Sequence, residues 1–217
     1  MRVTEIFESI DGEGIRAGYP VTFIRLHGCN LHCSYCDSNY SCDGSGFTEM
    51  TIDQITDEVF RLGWQKITLT GGEPLIHPDS YKLIEKLLQY GRQVNVETNG
   101  SVDLLPYDSM AFRHELILTA DFKCPSSGMS SKMLYNNFRL LREHDVLKFV
   151  VGSQEDMQKA LTVLNCLNPV CNIFFSPVFD AIEPKDIVEF IMAHHMSKCR
   201  VQLQLHKFIW DPMKRGV

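Results

Sequence analysis

The sequence has no long apolar run and no excess of positive charge. No stretch of the 217 residues approaches the roughly 18 apolar residues of a membrane span. The opening Met1-Arg2-Val3-Thr4-Glu5 lacks the apolar core of a secretory signal. The formal net charge of −6 provides no basic field for nucleic acid or for an anionic membrane. We therefore expect a cytoplasmic protein that binds neither nucleic acid nor membrane.

Low-complexity linkers and breaks in composition are absent as well. A length of 217 residues and a hydrophobic content of 44% suit one globular domain, so we expect a single domain over residues 1–217. Without a sign of secretion, the eight cysteines indicate reduced thiols and metal binding rather than disulfides. Five of them are scattered and carry no predicted role: Cys42, Cys124, Cys166, Cys171 and Cys199.

The other three cysteines stand together in Cys29-Asn30-Leu31-His32-Cys33-Ser34-Tyr35-Cys36. A structural zinc site needs four ligands, so these three thiolates are one short. A cube-shaped iron–sulfur cluster normally takes four cysteines, and with three of them one iron would stay open to a small molecule. Half a zinc site, or merely buried thiols, is the alternative interpretation, because short cysteine motifs give false positives.

Strand-like segments alternate with helical segments along the chain, which predicts parallel strands joined by right-handed crossovers. We expect strands at 21–26, 66–70, 94–97, 115–120, 146–151, 172–175 and 200–205, and helices at 51–62, 78–90, 103–111, 130–144, 154–166 and 184–195. A complete eight-fold barrel takes ~250 residues. The prediction is therefore an α/β fold of the incomplete (βα)6 type, a partial TIM barrel with mainly parallel strands. A doubly wound open sheet is the competing fold.

Unusual residues follow the predicted strands at their carboxyl ends, where such folds assemble their sites. The cysteine segment follows the first of these strands, Gly71-Gly72-Glu73-Pro74 the second and Asp121-Phe122-Lys123 the fourth. Ser176-Pro177 and His206-Lys207 follow the last two. We expect all of them to converge on one mouth, where glycine lets backbone approach a ligand and a carboxylate can accept from an ammonium group.

The C-x3-C-x2-C spacing, with Tyr35 before its last cysteine, resembles the radical S-adenosylmethionine (SAM) enzymes. The resemblance implies a partial barrel, a [4Fe–4S] cluster on Cys29, Cys33 and Cys36, and SAM at the open iron. It also implies SAM contacts by Tyr35, Cys36, Asp37, Gly72, Asp121, Phe122, Lys123, Ser176, Pro177 and Val178. In such chemistry the protein positions and encloses its cofactor.

Two further stretches narrow the resemblance. Glu8-Ser9-Ile10-Asp11-Gly12-Glu13-Gly14 and the ending Gln202-Leu203-Gln204-Leu205-His206-Lys207-Phe208-Ile209-Trp210 closely resemble the 7-carboxy-7-deazaguanine synthases. That family converts 6-carboxy-5,6,7,8-tetrahydropterin to 7-carboxy-7-deazaguanine with loss of ammonia, a carbon–nitrogen lyase step towards queuosine and other 7-deazapurines. The resemblance implies substrate contacts by Ile10, Asp11, Gly12, Arg25 and Thr70, and Mg²⁺ on the hydroxyl of Ser38.

Residue chemistry suits such a ligand. A pterin presents N–H donors that the carboxylate of Glu13 can accept, and a carboxylate that the guanidinium of Arg25 can hold. His206, near the end of the last strand, can donate to the substrate or accept from it. Mg²⁺ prefers hard oxygen ligands and often takes few protein groups, which fits one serine hydroxyl.

The sequence departs from the family at two places. Asp11 stands where the family usually has glutamine, so a donor-and-acceptor amide is replaced by an acceptor-only carboxylate. Some members also place a terminal proline carboxylate in the substrate site. Here Pro212 is followed by further residues, so we expect no such contact.

Two other functions stay open as alternatives. One is a radical SAM activase that makes a glycyl radical on a partner protein, and the other is a non-catalytic zinc or iron–sulfur protein. The superfamily also implies an electron donor such as flavodoxin or ferredoxin. An incomplete barrel leaves sheet edges that a second subunit can cover, so we expect a homodimer.

Overall fold

One sheet of nine strands is the framework of the residues that the computed structural model describes, 1–44, 46–212 and 214–217. The strands are β1 (Arg2–Ile10), β2 (Pro20–Leu26), β3 (Thr48–Glu49), β4 (Lys66–Gly71), β5 (Gln93–Thr98), β6 (Leu116–Lys123), β7 (Val146–Val151), β8 (Asn172–Pro177) and β9 (Cys199–Val201). The helices are α1 (Ile52–Leu62), α2 (Ser80–Gln89), α3 (Tyr135–Leu140), α4 (Gln154–Leu167), α5 (Pro184–Ala193) and α6 (His206–Ile209). Within those residues, no helix combines the length and the hydropathy needed to cross a bilayer.

The order of the strands distinguishes the two predicted folds. The sheet runs β3-β1-β2-β4-β5-β6-β7-β8-β9, with β1 antiparallel to both of its neighbours and every pair from β2 onward parallel. From β2 the order follows the chain without reversing, whereas a doubly wound sheet reverses at its switch point. Right-handed crossovers then place the helices that connect the strands, α1 to α5, on one face. The predicted partial barrel with mainly parallel strands is confirmed.

The two faces of the sheet differ in chemistry because side chains alternate along a strand. One face packs against the helices and is apolar: Leu69 in β4, Val96 in β5 and Leu118 in β6 are buried in the same core as residues of α1 and α2. The opposite face, called the inner face below, carries polar residues on the same strands, among them Asn95 and Asp121. The polar groups thus collect where the helices do not reach.

Side-chain caps fix where two helices begin. Oγ1 of Thr51 accepts from the N–H of Gln54 at 3.2 Å, and Oε1 of Gln54 accepts from the N–H of Thr51 at 2.8 Å, which is a capping box before α1. Oγ of Ser153 accepts from the N–H of Asp156 at 3.2 Å before α4. Both helices start directly after a polar turn, as the alternating pattern predicts.

Several elements differ from the sequence prediction. The helix expected at 103–111 is wrong: only a 3-10 turn, Leu105–Tyr107, is present. The helix expected at 130–144 shrinks to α3, and a separate 3-10 turn, Ser130–Lys132, precedes it. Within α3 the side chain of Asn137 bonds the backbone of Gly100, Val102 and Leu104 instead of facing solvent. The strand expected at 200–205 ends at Val201, and β1 was not predicted.

Candidate active site

The glycine-rich segment after β4 lies directly against the cysteine loop after β2. A Cβ atom on Gly72 would stand 2.4 Å from the carbonyl oxygen of Gly28 and 2.7 Å from Cβ of Cys29. No side chain fits so close to backbone, so the position requires glycine. This approach confirms the prediction that these two strand ends converge.

Residues from two other strand ends hold the cysteine loop in place. Oγ of Ser34 donates to the carbonyl oxygen of Ser126, after β6, at 2.6 Å. Asn99, after β5, donates from Nδ2 to Sγ of Cys29 at 3.6 Å and to Oδ1 of Asn30 at 3.0 Å. The loop is therefore anchored to strands at several positions along the sheet.

The three thiols of this loop suit an iron–sulfur cluster. Cys29, Cys33 and Cys36 are free thiols. A hydrogen bond from the thiol of Cys42 lowers the pKa of Cys29 to about 6, against the effect of burial, and this favours the thiolate that binds metal. Among the described residues, no group of three or more His, Cys, Asp or Glu side chains is arranged to hold a single metal ion. A cluster spreads its cysteine ligands over separate irons, and three thiols are the donor set predicted for such a cluster.

Glu73 of the glycine-rich segment ties two loops together. Its buried carboxylate accepts from the N–H of Leu75 at 2.9 Å, from the N–H of Asn99 at 2.6 Å and from the hydroxyl of Thr98 at 3.0 Å. Burial raises the pKa of Glu73 to about 7, although these hydrogen bonds oppose the rise. Both oxygens thus already have partners within the protein, and the predicted contact of this segment with SAM stays a prediction for Gly72.

Four charged side chains form a connected series on the inner face. Nζ of Lys123 lies 2.9 Å from Oδ2 of Asp121, and Nζ of Lys148 lies 3.2 Å from Oδ1 of the same carboxylate. Nζ of Lys148 also lies 3.1 Å from Oε2 of Glu13. Burial disfavours ionised Asp121, but the two lysines outweigh it and lower the pKa of that carboxyl group. The series joins the end of β6 to the loop after β1.

The remaining residues predicted to contact SAM occupy two kinds of environment. The ring of Phe122 is fully buried in the core and lies 5.2 Å from the ring of Phe138, so a contact with a ligand would involve its backbone. The hydroxyl of Tyr35 donates to the carbonyl oxygen of Val150 at 3.3 Å. Ser176 is also fully buried, yet its Oγ has no hydrogen-bond partner among the described residues. A buried hydroxyl without a partner is costly unless a ligand supplies one.

Asp11 is fully engaged within the protein. Its Oδ2 accepts from Nε of Arg16 at 2.8 Å and its Oδ1 from the hydroxyl of Thr68 at 2.5 Å. Arg16 also donates to the carbonyl oxygens of Ile67 at 2.9 Å and Gln93 at 3.2 Å, at the amino ends of β4 and β5. A substrate contact by the Asp11 side chain would have to break this cluster.

The predicted substrate residues at the two ends of the chain lie together. The carbonyl oxygen of Gly12 accepts from the N–H of Leu205 at 3.0 Å. A Cβ atom on Gly12 would stand 2.1 Å from Nδ1 of His206, so the imidazole packs on the glycine backbone. Burial lowers the pKa of His206. Gln202 reinforces the junction, since its side-chain amide bonds both backbone groups of Gly14 at 2.7 and 2.9 Å.

Arg25 and Ser38 are neighbours at the other side of the mouth. Nη1 of Arg25 lies 3.4 Å from Oγ of Ser38, which donates to Oδ1 of Asp37 at 3.0 Å. Nε of Arg25 donates to Oε1 of Glu5 at 2.8 Å, and Tyr40 donates to the same oxygen at 2.7 Å. The predicted carboxylate-binding arginine and the predicted Mg²⁺ ligand therefore face one region.

Comparison with known proteins decides the family. The chain matches the Radical SAM superfamily over residues 23–112. It is 40% identical to the 7-carboxy-7-deazaguanine synthase of Clostridium acetobutylicum, with 100% of this chain and 99% of the relative covered. The chain belongs to the 7-carboxy-7-deazaguanine synthase family. The synthase of Methanospirillum hungatei is 38% identical, with 98% and 86% covered.

A solved structure supports the same fold for this synthase family member. The crystal structure of QueE from Escherichia coli matches with a TM-score of 0.76 over 94% of this chain and 93% of that chain, at 21% identity. Membership of the radical SAM superfamily implies a [4Fe–4S] cluster and SAM, and makes the chain an enzyme of the lyase type. The predicted recognition, enzyme class and main cofactors are confirmed at that level.

Several residues at the site were missed by sequence reasoning. Lys148 carries a usable signal, because it is one charged residue inside the apolar strand Val146–Val151, and buried lysines are rare unless paired. Glu5 carries no such signal, since nothing in the sequence shows which strands become neighbours. Cys42 was assigned no role, yet its sulfur would stand 2.5 Å from a Cβ atom on Gly72, beside the cluster loop.

Proposed function

We propose that this chain, acting as one domain over residues 1–217, contracts the ring of 6-carboxy-5,6,7,8-tetrahydropterin to 7-carboxy-7-deazaguanine with loss of ammonia. The observation that carries the proposal is membership of the synthase family, at 40% identity over the full length of the chain. The mouth supports it, because the predicted cofactor segments and the predicted substrate segments adjoin the same series of charges. A glycyl-radical activase and a non-catalytic metal protein are not favoured by this family.

The cofactor half of the site is built on the cysteine loop and the inner face. Cys29, Cys33 and Cys36 would hold the [4Fe–4S] cluster, which with SAM supplies the 5′-deoxyadenosyl radical that abstracts hydrogen. Gly72 brings backbone beside the loop, and the buried Oγ of Ser176, without a partner among the described residues, offers one hydrogen bond to SAM. These groups bind, orient and enclose the cofactor.

The substrate half is built from both ends of the chain. Oε1 of Glu13 is buried and has no hydrogen-bond partner in the described part of the chain, so it is placed to accept from a pterin N–H. The proposal assigns further contacts to the segment Ile10–Gly12, to Thr70, whose hydroxyl donates to Oε2 of Glu97 at 3.0 Å, and to His206. Recognition by a buried carboxylate favours a ligand with N–H donors over an isostere without them.

Arg25 and Mg²⁺ are proposed to share the substrate carboxylate. The guanidinium of Arg25 lies 3.4 Å from Oγ of Ser38, the proposed Mg²⁺ ligand, and the carboxylate of Asp37 is hydrogen-bonded to that hydroxyl. Such an arrangement neutralises charge on the bound substrate and fixes its orientation. The Mg²⁺ assignment is supported by the hard oxygen atoms gathered there.

The setting of the reaction is also part of the proposal. An electron donor such as flavodoxin or ferredoxin supplies the electron, and the enzyme works as a homodimer. Its place is the cytoplasm, because free thiols and an exposed cluster need reducing surroundings. Light scattering that finds only monomer at working concentrations would refute the dimer.

An anaerobic assay tests the proposed reaction. Reconstituted protein is mixed with SAM, reductant, Mg²⁺ and 6-carboxytetrahydropterin, and the products are read by mass spectrometry. The expected result is 7-carboxy-7-deazaguanine, with several turnovers per SAM. SAM cleavage without that product would preserve the radical chemistry and refute the substrate, while omission of Mg²⁺ measures the contribution of the metal.

A further inference from the structure

Lys148 occupies a position that the proposed function leaves unexplained. It lies on the inner face of β7, opposite Asp121 of β6 in the register of the sheet, and only 7% of the residue is exposed. Its ammonium group contacts two carboxylates, Oε2 of Glu13 at 3.1 Å and Oδ1 of Asp121 at 3.2 Å. A lysine this deeply buried is stable only when it is paired.

The two carboxylates belong to different parts of the proposed site. Glu13 lies in the loop after β1 that is assigned to the pterin, and Asp121 lies at the end of β6, in the segment assigned to SAM. Asp121 in turn holds Lys123 through its other oxygen, at 2.9 Å. One ammonium group therefore connects the residues that meet the substrate with those that meet the cofactor.

The two oxygens of the Glu13 carboxylate have different surroundings. Its Oε2 faces Lys148, whereas its Oε1 is buried without a hydrogen-bond partner in the described residues. Holding one oxygen fixes the plane of the carboxylate, so the other oxygen presents a defined acceptor to a ligand. Without the ammonium group Oε2 would lose its partner, and the carboxylate would be free to turn.

We propose that Lys148 is a positioning residue that couples the substrate site to the SAM site. It acts through Glu13 on the pterin and through Asp121 and Lys123 on SAM, and this role rests on the proposed function. A ligand that engages either carboxylate changes how strongly that carboxylate holds the shared ammonium group, and so changes the charge and position of the carboxylate that the other ligand meets. The coupling is reciprocal, because each ligand must raise the affinity of the other by the same factor.

Equilibrium binding without reductant tests the coupling, since no turnover then occurs. The dissociation constant of SAM is measured with and without 6-carboxytetrahydropterin on cluster-loaded protein, together with that of the pterin with and without SAM. In wild type we expect each ligand to lower the dissociation constant of the other about fivefold or more. In Lys148→Met the ratio falls to about one and pterin binding weakens about tenfold or more.

Three further variants separate positioning from simple stability. Glu13→Gln removes the link on the substrate side but leaves the ion pair of Lys148 with Asp121. In this variant too, the coupling ratio should fall to about one. Adding Lys148→Met to Glu13→Gln should cause little further loss of pterin affinity. Lys82→Met is the matched control, because Lys82 is an exposed lysine on α2 that pairs with Asp79 at 3.1 Å, and its coupling ratio should equal that of wild type.

Each outcome decides for or against the role of Lys148. A wild-type ratio of one overturns it, as does a Lys148→Met protein that is less stable but keeps the wild-type ratio. If Lys148→Met does not fold, an unchanged ratio in Glu13→Gln overturns it. If wild type binds SAM but not the pterin, both the proposed substrate and the coupling are overturned. If the pterin binds but the variants keep the wild-type coupling ratio, the coupling alone is overturned.

Discussion

Two buried ion-pair clusters stand two residues apart in the loop after β1, and they differ in one respect. At Asp11, both carboxylate oxygens have partners, and Arg16 donates hydrogen bonds to Asp11, to Thr68 and to backbone carbonyl oxygens. At Glu13, one oxygen is held by Lys148, and the other is buried without a partner in the described residues. We call the first cluster complete, because every carboxylate oxygen in it has a partner. We call the second incomplete, because Oε1 of Glu13 is an acceptor without a donor among the described residues.

The difference separates groups that build the fold from groups that meet a ligand. A buried polar atom without a partner costs free energy, and a ligand that supplies the missing partner recovers it. The complete cluster lies at the amino ends of β4 and β5, where Arg16 bonds Ile67 and Gln93. The incomplete cluster adjoins Asp121, at the carboxyl end of β6, which is the end where such folds carry their chemistry.

Removal of a proposed ligand of the iron–sulfur cluster should have the largest effect. It tests whether product formation can be lost while the fold is kept. We expect Cys33→Ser to abolish product formation, because two cysteines leave the cluster short of a ligand. Iron content and anaerobic product assays measure the loss, and circular dichroism checks the fold. Cys166→Ala removes an exposed thiol from α4 and should match wild type in all three measurements.

Breaking the complete cluster should act on stability. Arg16→Met leaves Asp11 buried and unpaired, which we expect to lower the free energy of unfolding by about 3–5 kcal/mol. Chemical denaturation under anaerobic conditions gives the value. Arg61→Ala is the surface counterpart: Arg61 pairs with Glu58 at 2.6 Å on α1, exposed to solvent, and its loss should leave the free energy of unfolding close to that of wild type. Similar losses in the two variants would contradict the role assigned to Arg16.

Breaking the incomplete cluster should act on substrate binding. Glu13→Gln keeps the shape of the side chain but removes its charge, and a hydrogen bond to a charged group contributes about 1.5–3 kcal/mol. We therefore expect KM for the pterin to rise about 10- to 100-fold, with a smaller loss of stability than in Arg16→Met. Glu8→Gln is the control, since Glu8 accepts from the indole of Trp64 in an exposed pair. An unchanged KM in Glu13→Gln would refute the substrate contact.

The sequence predicts the parts of the site that depend on local order. Cys29, Gly72 and Asp121 follow strands whose alternation is visible in the sequence, and parallel strands must bring their carboxyl ends to one edge. The same reasoning predicts the partial barrel. It therefore predicts which segments meet, without showing what each side chain contacts there.

The parts that sequence reasoning missed depend on pairing across the sheet. Glu5 belongs to the antiparallel strand β1, and its contact with Arg25 requires the register of β1 on β2. The engagement of Asp11 by Arg16 depends on a loop folding back on itself. Asn137 gives a further example: it lies within α3, yet its side chain bonds the backbone of Gly100 and Val102, a contact that no local pattern shows.

Ser176 and Thr68 give the finest version of the comparison, because both are buried hydroxyls on the inner face. Oγ of Ser176 has no partner in the described residues, whereas Oγ1 of Thr68 donates to Asp11 and accepts from Arg16 at 2.6 Å. Ser176→Ala should leave the free energy of unfolding unchanged or slightly raised. It should lower the affinity for SAM about 3- to 10-fold, which is the contribution expected of one hydrogen bond.

Thr68→Val should show the reverse, a loss of about 1–3 kcal/mol in stability with SAM affinity kept. Denaturation and equilibrium dialysis on cluster-loaded protein measure the two quantities in both variants. If Ser176→Ala lost stability and kept its SAM affinity, the hydroxyl would have a partner inside the protein after all. An unpartnered buried atom would then no longer identify the side of the site that meets a ligand, and the assignment of Oε1 of Glu13 to the pterin would lose its physical basis.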